Sequence, residues 1–302
     1  MSKYLIVMIG PTAIGKTALS IKIANYFNTE ILSADSRQFY KEMFIGTAVP
    51  SPEELHNAQH HFIQHISIHD KYTVGDFEKD AIECLKTIFI KHNVAVMVGG
   101  SGLYIDAVTK GLDSFPEIDP KVRLELNIEL EQKGLSALAN KLKTLDPQAY
   151  DIIEIDNPHR VIRALEVTIG SSQPYSDFLN NPKPKRNFEI IKIGLTAERP
   201  IIYNRINERV DQMMNSGLLN EAKLLLPHKH LNALNTVGYK ELFAYLEGET
   251  DLEFAISEIK KNTRRFAKRQ LTWFRKDDSI EWFDYKTDTN IILEFIKSKI
   301  NE

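Results

Sequence analysis

Two periodicities of apolar residues divide the chain. Tyr4–Ile9 and Val94–Val98 are short continuous apolar runs, rich in β-branched residues and too short for helices. They read as buried parallel strands. Between them Leu19, Ile21, Ile23, Ala24 and Phe27 place a buried face on a helix. A second strand, Glu30–Ala34, ends at Asp35. A loop over Tyr72–Phe77 leads to a helix from Glu78 to about His92. Near Ser114 the pattern becomes mainly helical, with Val122, Leu124, Leu126 and Leu130, then Leu135, Leu138, Leu142 and Leu145. Asp146-Pro147 and Asn157-Pro158 are helix-start signals there. A strand over Glu189–Leu195 resumes the alternation. A helix from Pro200 to about Asn215 follows, stopped by Gly217. The expected fold is therefore α/β: a parallel sheet with helices and C-terminal helices over 1–113 and 187–302, and a mainly helical insertion over 114–186.

The turn after the first strand carries the clearest chemistry. Gly10 to Thr17 fits G-x-x-x-x-G-K-[ST], the phosphate-binding loop, with the strand before it and the helix after it that the motif demands. Gly10 and Gly15 let backbone N–H groups turn inward, and the helix N-terminus adds to an anion site. Lys16 brings a full positive charge to the outer phosphates. Thr17 offers a hydroxyl to a Mg²⁺ that also binds phosphate oxygens. The loop predicts a bound di- or triphosphate, and its spelling alone would equally admit ATP.

Composition narrows the setting. The 302 residues are 43% hydrophobic and 26% charged, an ordinary soluble balance. No apolar run approaches a membrane span, and the N-terminus lacks a signal pattern, so the expected location is the cytoplasm. The single cysteine, Cys84, excludes an internal disulfide and lies in a helical pattern that predicts a buried structural thiol. Net charge is −3, so any nucleic-acid contact must be local.

Several further stretches offer candidates, each with a plain alternative. Asp35 ends a strand beside the phosphate loop, where open α/β sheets place their chemistry; it also suits a turn or cap. His56, His60, His61, His65 and His69 cluster, but the residues between them suit a strand and no metal signature accompanies them. The strand 94–98 ends in Gly99-Gly100-Ser101-Gly102-Leu103-Tyr104, where an ATP-hydrolysing protein would carry an acid for the Mg²⁺ shell. Arg205 and Arg209 share a helix face that either closes over a pyrophosphate or pairs with Glu208 and Asp211. Residues 263–275 interleave Arg264, Arg265, Lys268, Arg269 and Arg275 with Phe266, Trp273 and Phe274, which fits nucleic-acid contact or a solvated face.

Taken in order, these residues resemble the isopentenyl-tRNA transferase (tRNA dimethylallyltransferase) family. The resemblance covers nearly the whole chain. It rests on the phosphate loop, Asp35-Ser36 with Tyr40, Ile45-Gly46-Thr47-Ala48, His60-His61, Gly99 to Tyr104, Arg160 with Arg163-Ala164-Leu165-Glu166, Arg205 to Met213, Val237-Gly238-Tyr239, and Gln270 to Phe274. Three departures are visible: Ser101 for the usual Thr, Val49 for a common Lys, and Phe62-Ile63-Gln64 for Leu-Ile-Asp.

The resemblance implies a phosphate-loop NTPase-like core related to kinases, with a helical insertion that grips the tRNA anticodon stem-loop. It implies transfer of a dimethylallyl group from dimethylallyl diphosphate to N6 of the adenosine 3′ of the anticodon, nucleotide 37, in tRNAs reading codons that begin with U. The implied diphosphate site is Gly10, Pro11, Thr12, Ala13, Ile14, Gly15, Lys16, Thr17 and Arg205, with Mg²⁺ as cofactor on Thr17. The implied catalytic residues are Asp35 as general base, Thr12 against the leaving oxygen and Arg209 on the departing pyrophosphate. Implied tRNA contacts are Asp35, Ser36, Arg37, Gln38, Ser101, Arg123, His159, Arg160, Val161, Ile162, Arg163, Val237, Gly238 and Tyr239, with the 263–275 helix near the RNA backbone. A monomer without membrane association is expected. The competing reading is a small-molecule phosphoryl-transfer kinase on the same core.

Overall fold

The computed structural model describes residues 2–179, 181–183 and 185–301. Strands β1 (Tyr4–Ile9), β2 (Ile31–Ser33), β3 (His60–His61), β4 (Val94–Val98), β5 (Glu189–Thr196) and β6 (Ile280–Asp284) form one sheet in the order β3-β2-β4-β1-β5-β6. Every pairing is parallel, with Tyr4 opposite Val94 on one side of β1 and Glu189 on the other. Leu5 through Met8 and Ala95 through Met97 are fully buried, as strands covered on both faces require. Parallel strands send the loops after β1, β2 and β4 out at one edge. That edge carries the phosphate loop, Asp35 and the Gly99–Gly102 turn.

Helices α1 (Lys16–Phe27), α2 (Pro52–Asn57) and α3 (Val74–Lys91) connect the first four strands, and α4 (Gly102–Lys110) follows β4. α3 starts four residues before the expected Glu78. Thr73 accepts from the Asp76 amide and Asp76 accepts from the Thr73 amide, a capping box that makes the expected loop into a first turn. His60-His61 is a strand, so the 61/65/69 histidines do not align on a helix. His61 Nε2 instead meets Glu30 at 2.6 Å, and no group of three metal-binding side chains occurs among the described residues. Cys84 is half-buried rather than buried as expected, and that burial pushes its thiol up to about 11.

The chain divides into two compact units, residues 1–110 with 186–302, and residues 111–185. The expected boundaries of 114 and 186 therefore each shift earlier. Arg186 lies with the first unit because its guanidinium bonds to Glu78 and to the Ala107 carbonyl. The second unit packs α5 (Pro120–Lys133), α6 (Leu135–Leu145), α7 (Pro147–Ile152) and α8 (Pro158–Ser171) around Leu126, Leu138, Leu142, Val161, Ile162 and Leu165. Leu124 does not join this core and is 60% exposed.

In the first unit the chain continues through α9 (Arg199–Asn215), α10 (Leu218–Leu225), α11 (Tyr239–Leu246), α12 (Leu252–Phe274) and α13 (Thr289–Asn301). Gly217, at φ 100°, ends α9 and starts α10 in the left-handed conformation that favours glycine. No described helix is long and apolar enough to cross a membrane.

Candidate active site

The strand edge opens into a cavity of about 1180 Å³ within the first unit. Its walls come from the phosphate loop, the turns after β2 and β4, the segment Gly46–Pro50, α9 and α12. The loop folds as an anion nest. Gly10 (φ 143°), Ala13 (φ 63°) and Gly15 (φ 106°) turn the backbone so that successive amides face one concavity. The amides of residues 13–18 have no acceptor among the described residues. Thr12 differs: its N–H donates to Gln270 Oε1 at 2.9 Å. The run of amides open to an anion thus begins at Ala13, later than the expected site, which starts at Gly10. Pro11 and Ile14 are buried and contribute backbone alone.

Lys16 lies back along the loop, with Nζ 3.0 Å from the Gly10 carbonyl and 2.8 Å from that of Pro11. Burial lowers its pKa to about 8, opposed by the nearby Asp35 carboxylate and reinforced by Arg209. Arg209 is itself pushed down by burial and drawn up by Asp35 and Glu54. Lys16, Asp35 and Arg209 therefore form one electrostatic cluster at the cavity wall. Arg205 grips the loop, its Nε donating to the Ala13 carbonyl at 2.7 Å and its guanidinium over the Tyr285 ring. An added Cβ on Gly15 would lie 4.0 Å from Arg205 Nη2, so that arm of the guanidinium is beside the nest.

Asp35 makes the turn that its sequence position allows and also faces the cavity. Oδ1 accepts from the Arg37 amide at 3.1 Å, an Asx-type turn, while the residue lines the cavity. Ser36 and Ser101 join the turns after β2 and β4: the Ser36 amide and hydroxyl each lie 3.1 Å from Ser101 Oγ. Serine at 101 thus keeps the hydroxyl function of the usual threonine. Gln38 donates to the Thr47 and Ala48 carbonyls, and Arg37 donates to those of Asn232 and Ala233. Both side chains hold cavity-wall segments together.

Three expected RNA contacts need correction. Tyr239 is fully buried and donates to Glu221 Oε1 at 2.6 Å, so its side chain reaches no ligand. Val237 and Gly238 do line the cavity. In the second unit Val161 and Ile162 are core residues, 0% and 2% exposed, because the apolar stripe of α8 faces inward. His159 and Arg160 are exposed beside them. Arg123 and Arg163 both donate to Glu166 Oε2, at 3.1 and 2.9 Å, and Arg163 also lies 5.0 Å from the Phe115 ring centroid.

The 263–275 stretch, expected near the RNA backbone, contributes to the cavity itself. Asn262, Thr263, Phe266, Arg269, Gln270 and Trp273 all come from α12, at the three- and four-residue spacing of one helix face. The 263–275 stretch is therefore no uniform solvated face. His60 also lines the cavity. Its Nδ1 is 2.8 Å from the Ala58 carbonyl, which makes Nδ1 the donor and leaves Nε2 a buried acceptor without a protein partner. For Mg²⁺ the fitting donor is the Thr17 hydroxyl at the start of α1, which has no protein acceptor of its own among the described residues. One hydroxyl with phosphate oxygens and waters suits an ion that keeps much of its hydration shell.

Comparison with known proteins gives the same picture. The model of the IPP transferase family matches residues 38–277. A protein of Christiangramia forsetii called tRNA dimethylallyltransferase is 64% identical over 301 residues, covering 100% of both chains. One of Bacteroides fragilis, tRNA dimethylallyltransferase 1, is 46% identical and covers 99% of each. Among solved structures, the tRNA isopentenylpyrophosphate transferase of Bacillus halodurans is 38% identical, with a TM-score of 0.74 over 100% of this chain and 97% of that one. A eukaryotic dimethylallyltransferase acting on tRNA superposes with a TM-score of 0.81 at 26% identity, over 94% of this chain and 74% of that one. With a parallel sheet, a phosphate nest at its edge and relatives aligned end to end, this chain belongs to the IPP transferase family.

Proposed function

We propose that the protein is a tRNA dimethylallyltransferase. It moves the dimethylallyl group of dimethylallyl diphosphate onto N6 of the adenosine 3′ of the anticodon, nucleotide 37, in tRNAs that read codons beginning with U. The observation that carries this reading is one cavity holding the amide nest, Lys16, Arg209 and Asp35 together. An anion binder and a proton acceptor on one wall suit a reaction that releases diphosphate and a proton.

In the proposed step the N6 amine attacks the allylic carbon. The new bond is N–C and the broken bond is C–O. The amine proton goes to the Asp35 carboxylate, and the electron pair leaves with the diphosphate oxygen. The Ala13–Thr17 amides, Lys16 and Arg209 stabilise the charge that grows there, and the Thr12 hydroxyl contacts the leaving oxygen. Mg²⁺, held through the Thr17 hydroxyl, would add neutralising charge when bound. Arg205 sets the loop's position through the Ala13 carbonyl. The target adenosine leaves its stack to enter the cavity, where Phe266 and Trp273 offer aromatic surface and Asp35, Ser36, Ser101 and Val237–Gly238 offer polar and backbone contacts.

No water is activated in this chemistry, which accounts for the glycines after β4 in place of an acid. The insertion would hold the anticodon stem-loop through Arg123, His159, Arg160 and Arg163. Arg37 and Gln38 would act on RNA by holding the cavity wall. We assign the enzyme to the cytoplasm as a monomer.

The test is mass spectrometry of an anticodon stem-loop with consecutive adenosines at its 3′ side, incubated with the protein, Mg²⁺ and dimethylallyl diphosphate. One five-carbon unit gained on the adenosine 3′ of the anticodon is the expected result. No gain, with ATP consumed on a small alcohol, would replace this reading with a kinase.

A further inference from the structure

Thr12 and Gly100 follow two neighbouring strands, β1 and β4, and one side chain spans them. Gln270 of α12 accepts from the Thr12 amide through Oε1 at 2.9 Å and donates from Nε2 to the Gly100 carbonyl at 3.0 Å. One partner can only donate and the other can only accept, so the orientation of the amide group is fixed. Gln270 is 5% exposed on a helix that otherwise presents its neighbours to the cavity. Gly100 makes the approach possible: a Cβ there would collide with Gln270 Nε2. The bond also takes the Thr12 amide out of the anion nest, so the nest begins at Ala13.

We infer that Gln270 is a positioning residue for the transfer. It sets the gap between the diphosphate loop, with Thr12, and the glycine turn whose Ser101 faces the acceptor side. The inference rests on the proposed function for its substrate, but the bridge itself is independent of it. A buried amide that satisfies both strand ends at once holds donor and acceptor half-sites at one separation, and misplacement by about 1 Å can cost about 100-fold in rate.

The bridge makes a specific demand on the end group. In Gln270→Glu, an ionised carboxylate would set an acceptor against the Gly100 carbonyl. A protonated carboxyl would restore both bonds, its O–H donating to Gly100 and its C=O accepting from Thr12. Burial and the facing carbonyl raise that carboxyl's pKa, so recovery falls within a workable pH range.

The experiment measures single-turnover prenyl transfer by wild type, Gln270→Glu and Gln270→Met from pH 6 to 8.5, at a temperature where calorimetry shows all three folded. Gln270→Met keeps the volume without the polar ends. Gln270→Glu is expected to fall about 10- to 100-fold below wild type at pH 8, with the deficit shrinking severalfold at pH 6. Gln270→Met should stay low at every pH. A variant-to-wild-type ratio flat across pH for Gln270→Glu, or wild-type rates in Gln270→Met, would make Gln270 a packing residue and overturn the inference. Absence of transfer by the wild-type enzyme itself would sink the proposed function instead, and this inference with it.

Discussion

The Tyr239 hydroxyl donates to Glu221 Oε1 at 2.6 Å, and the same carboxylate accepts from the amides of Phe44, Ile45 and Gly46 at 3.0, 2.8 and 2.9 Å. One side chain from α10 thus holds the segment that leads into the Gly46–Pro50 wall of the cavity. Gly46 is required beneath it, since a Cβ would come within 2.6 Å of the Tyr239 ring. Burial and the Glu221 carboxylate push the Tyr239 hydroxyl far above its usual pKa, so it stays a donor at any working pH. Tyr239→Phe should cost about 1–2 kcal/mol of stability and leave tRNA affinity unchanged. Chemical denaturation and filter binding measure the two, and a large loss of tRNA affinity in a folded variant would return Tyr239 to the RNA interface.

Asp35→Ala removes the proposed proton acceptor while the nest and the arginines stay. Turnover should drop by about 10²–10⁴-fold, with tRNA binding close to wild type. Single-turnover kinetics beside equilibrium binding separates the effects. Unchanged turnover would remove Asp35 from the chemistry.

Lys16 couples the site to pH. Burial holds its folded-state pKa at about 8, below the ordinary 10.5. Between these values the unfolded chain binds more protons than the folded one, so this group's contribution to stability rises with pH across that window. Below pH 8 the full cost of the buried ammonium is present. Lys16→Met should therefore raise the melting temperature of the unliganded protein at pH 7, by an amount worth on the order of 1–3 kcal/mol, and abolish diphosphate binding. A bound diphosphate restores the ammonium. Above pH 8 wild-type binding should then take up a proton, seen by calorimetry of inorganic diphosphate in buffers of different ionisation heat. A buffer-independent heat at pH 8.5 would contradict the buried-lysine account.

Arg123 and Arg163 meet at one oxygen of Glu166, a residue 7% exposed. Two guanidiniums on one carboxylate leave a net positive charge that is held in place. Arg163→Ala should weaken stem-loop binding and lower the slope of log affinity against log salt by about 1. Ile162→Ala, by contrast, should destabilise the insertion by about 2–4 kcal/mol without changing that slope. Titrations at several salt concentrations distinguish the two, and equal slopes for wild type and Arg163→Ala would take that arginine off the phosphates.

Much of this protein is legible in short windows of sequence. The phosphate loop, its strand and its helix lie within residues 4–27, and each step depends on neighbours a few positions apart. Asp35 was visible for the same reason, as a carboxylate at a strand end. Local patterns also held signals that were easy to pass over. Thr73 and Asp76 form a capping box of three-residue spacing, and it moved the start of α3 to Val74.

Motif adjacency says less about exposure. Val161, Ile162 and Tyr239 sit beside polar neighbours in their motifs, yet all three are buried, because each residue turns a helix by about 100° and a step of one or two positions separates an inward side chain from an outward one. The spelling of the chain marked a phosphate-binding loop between a strand and a helix, and a carboxylate at a neighbouring strand end. Only the tertiary structure decided which side chains of α12 reach that cavity, that Arg205 holds the loop from beneath, and that Gln270 joins two strand ends across 258 and 170 residues of sequence. Contacts of that separation leave no local period to read, since they exist once the sheet order has brought β1 and β4 side by side.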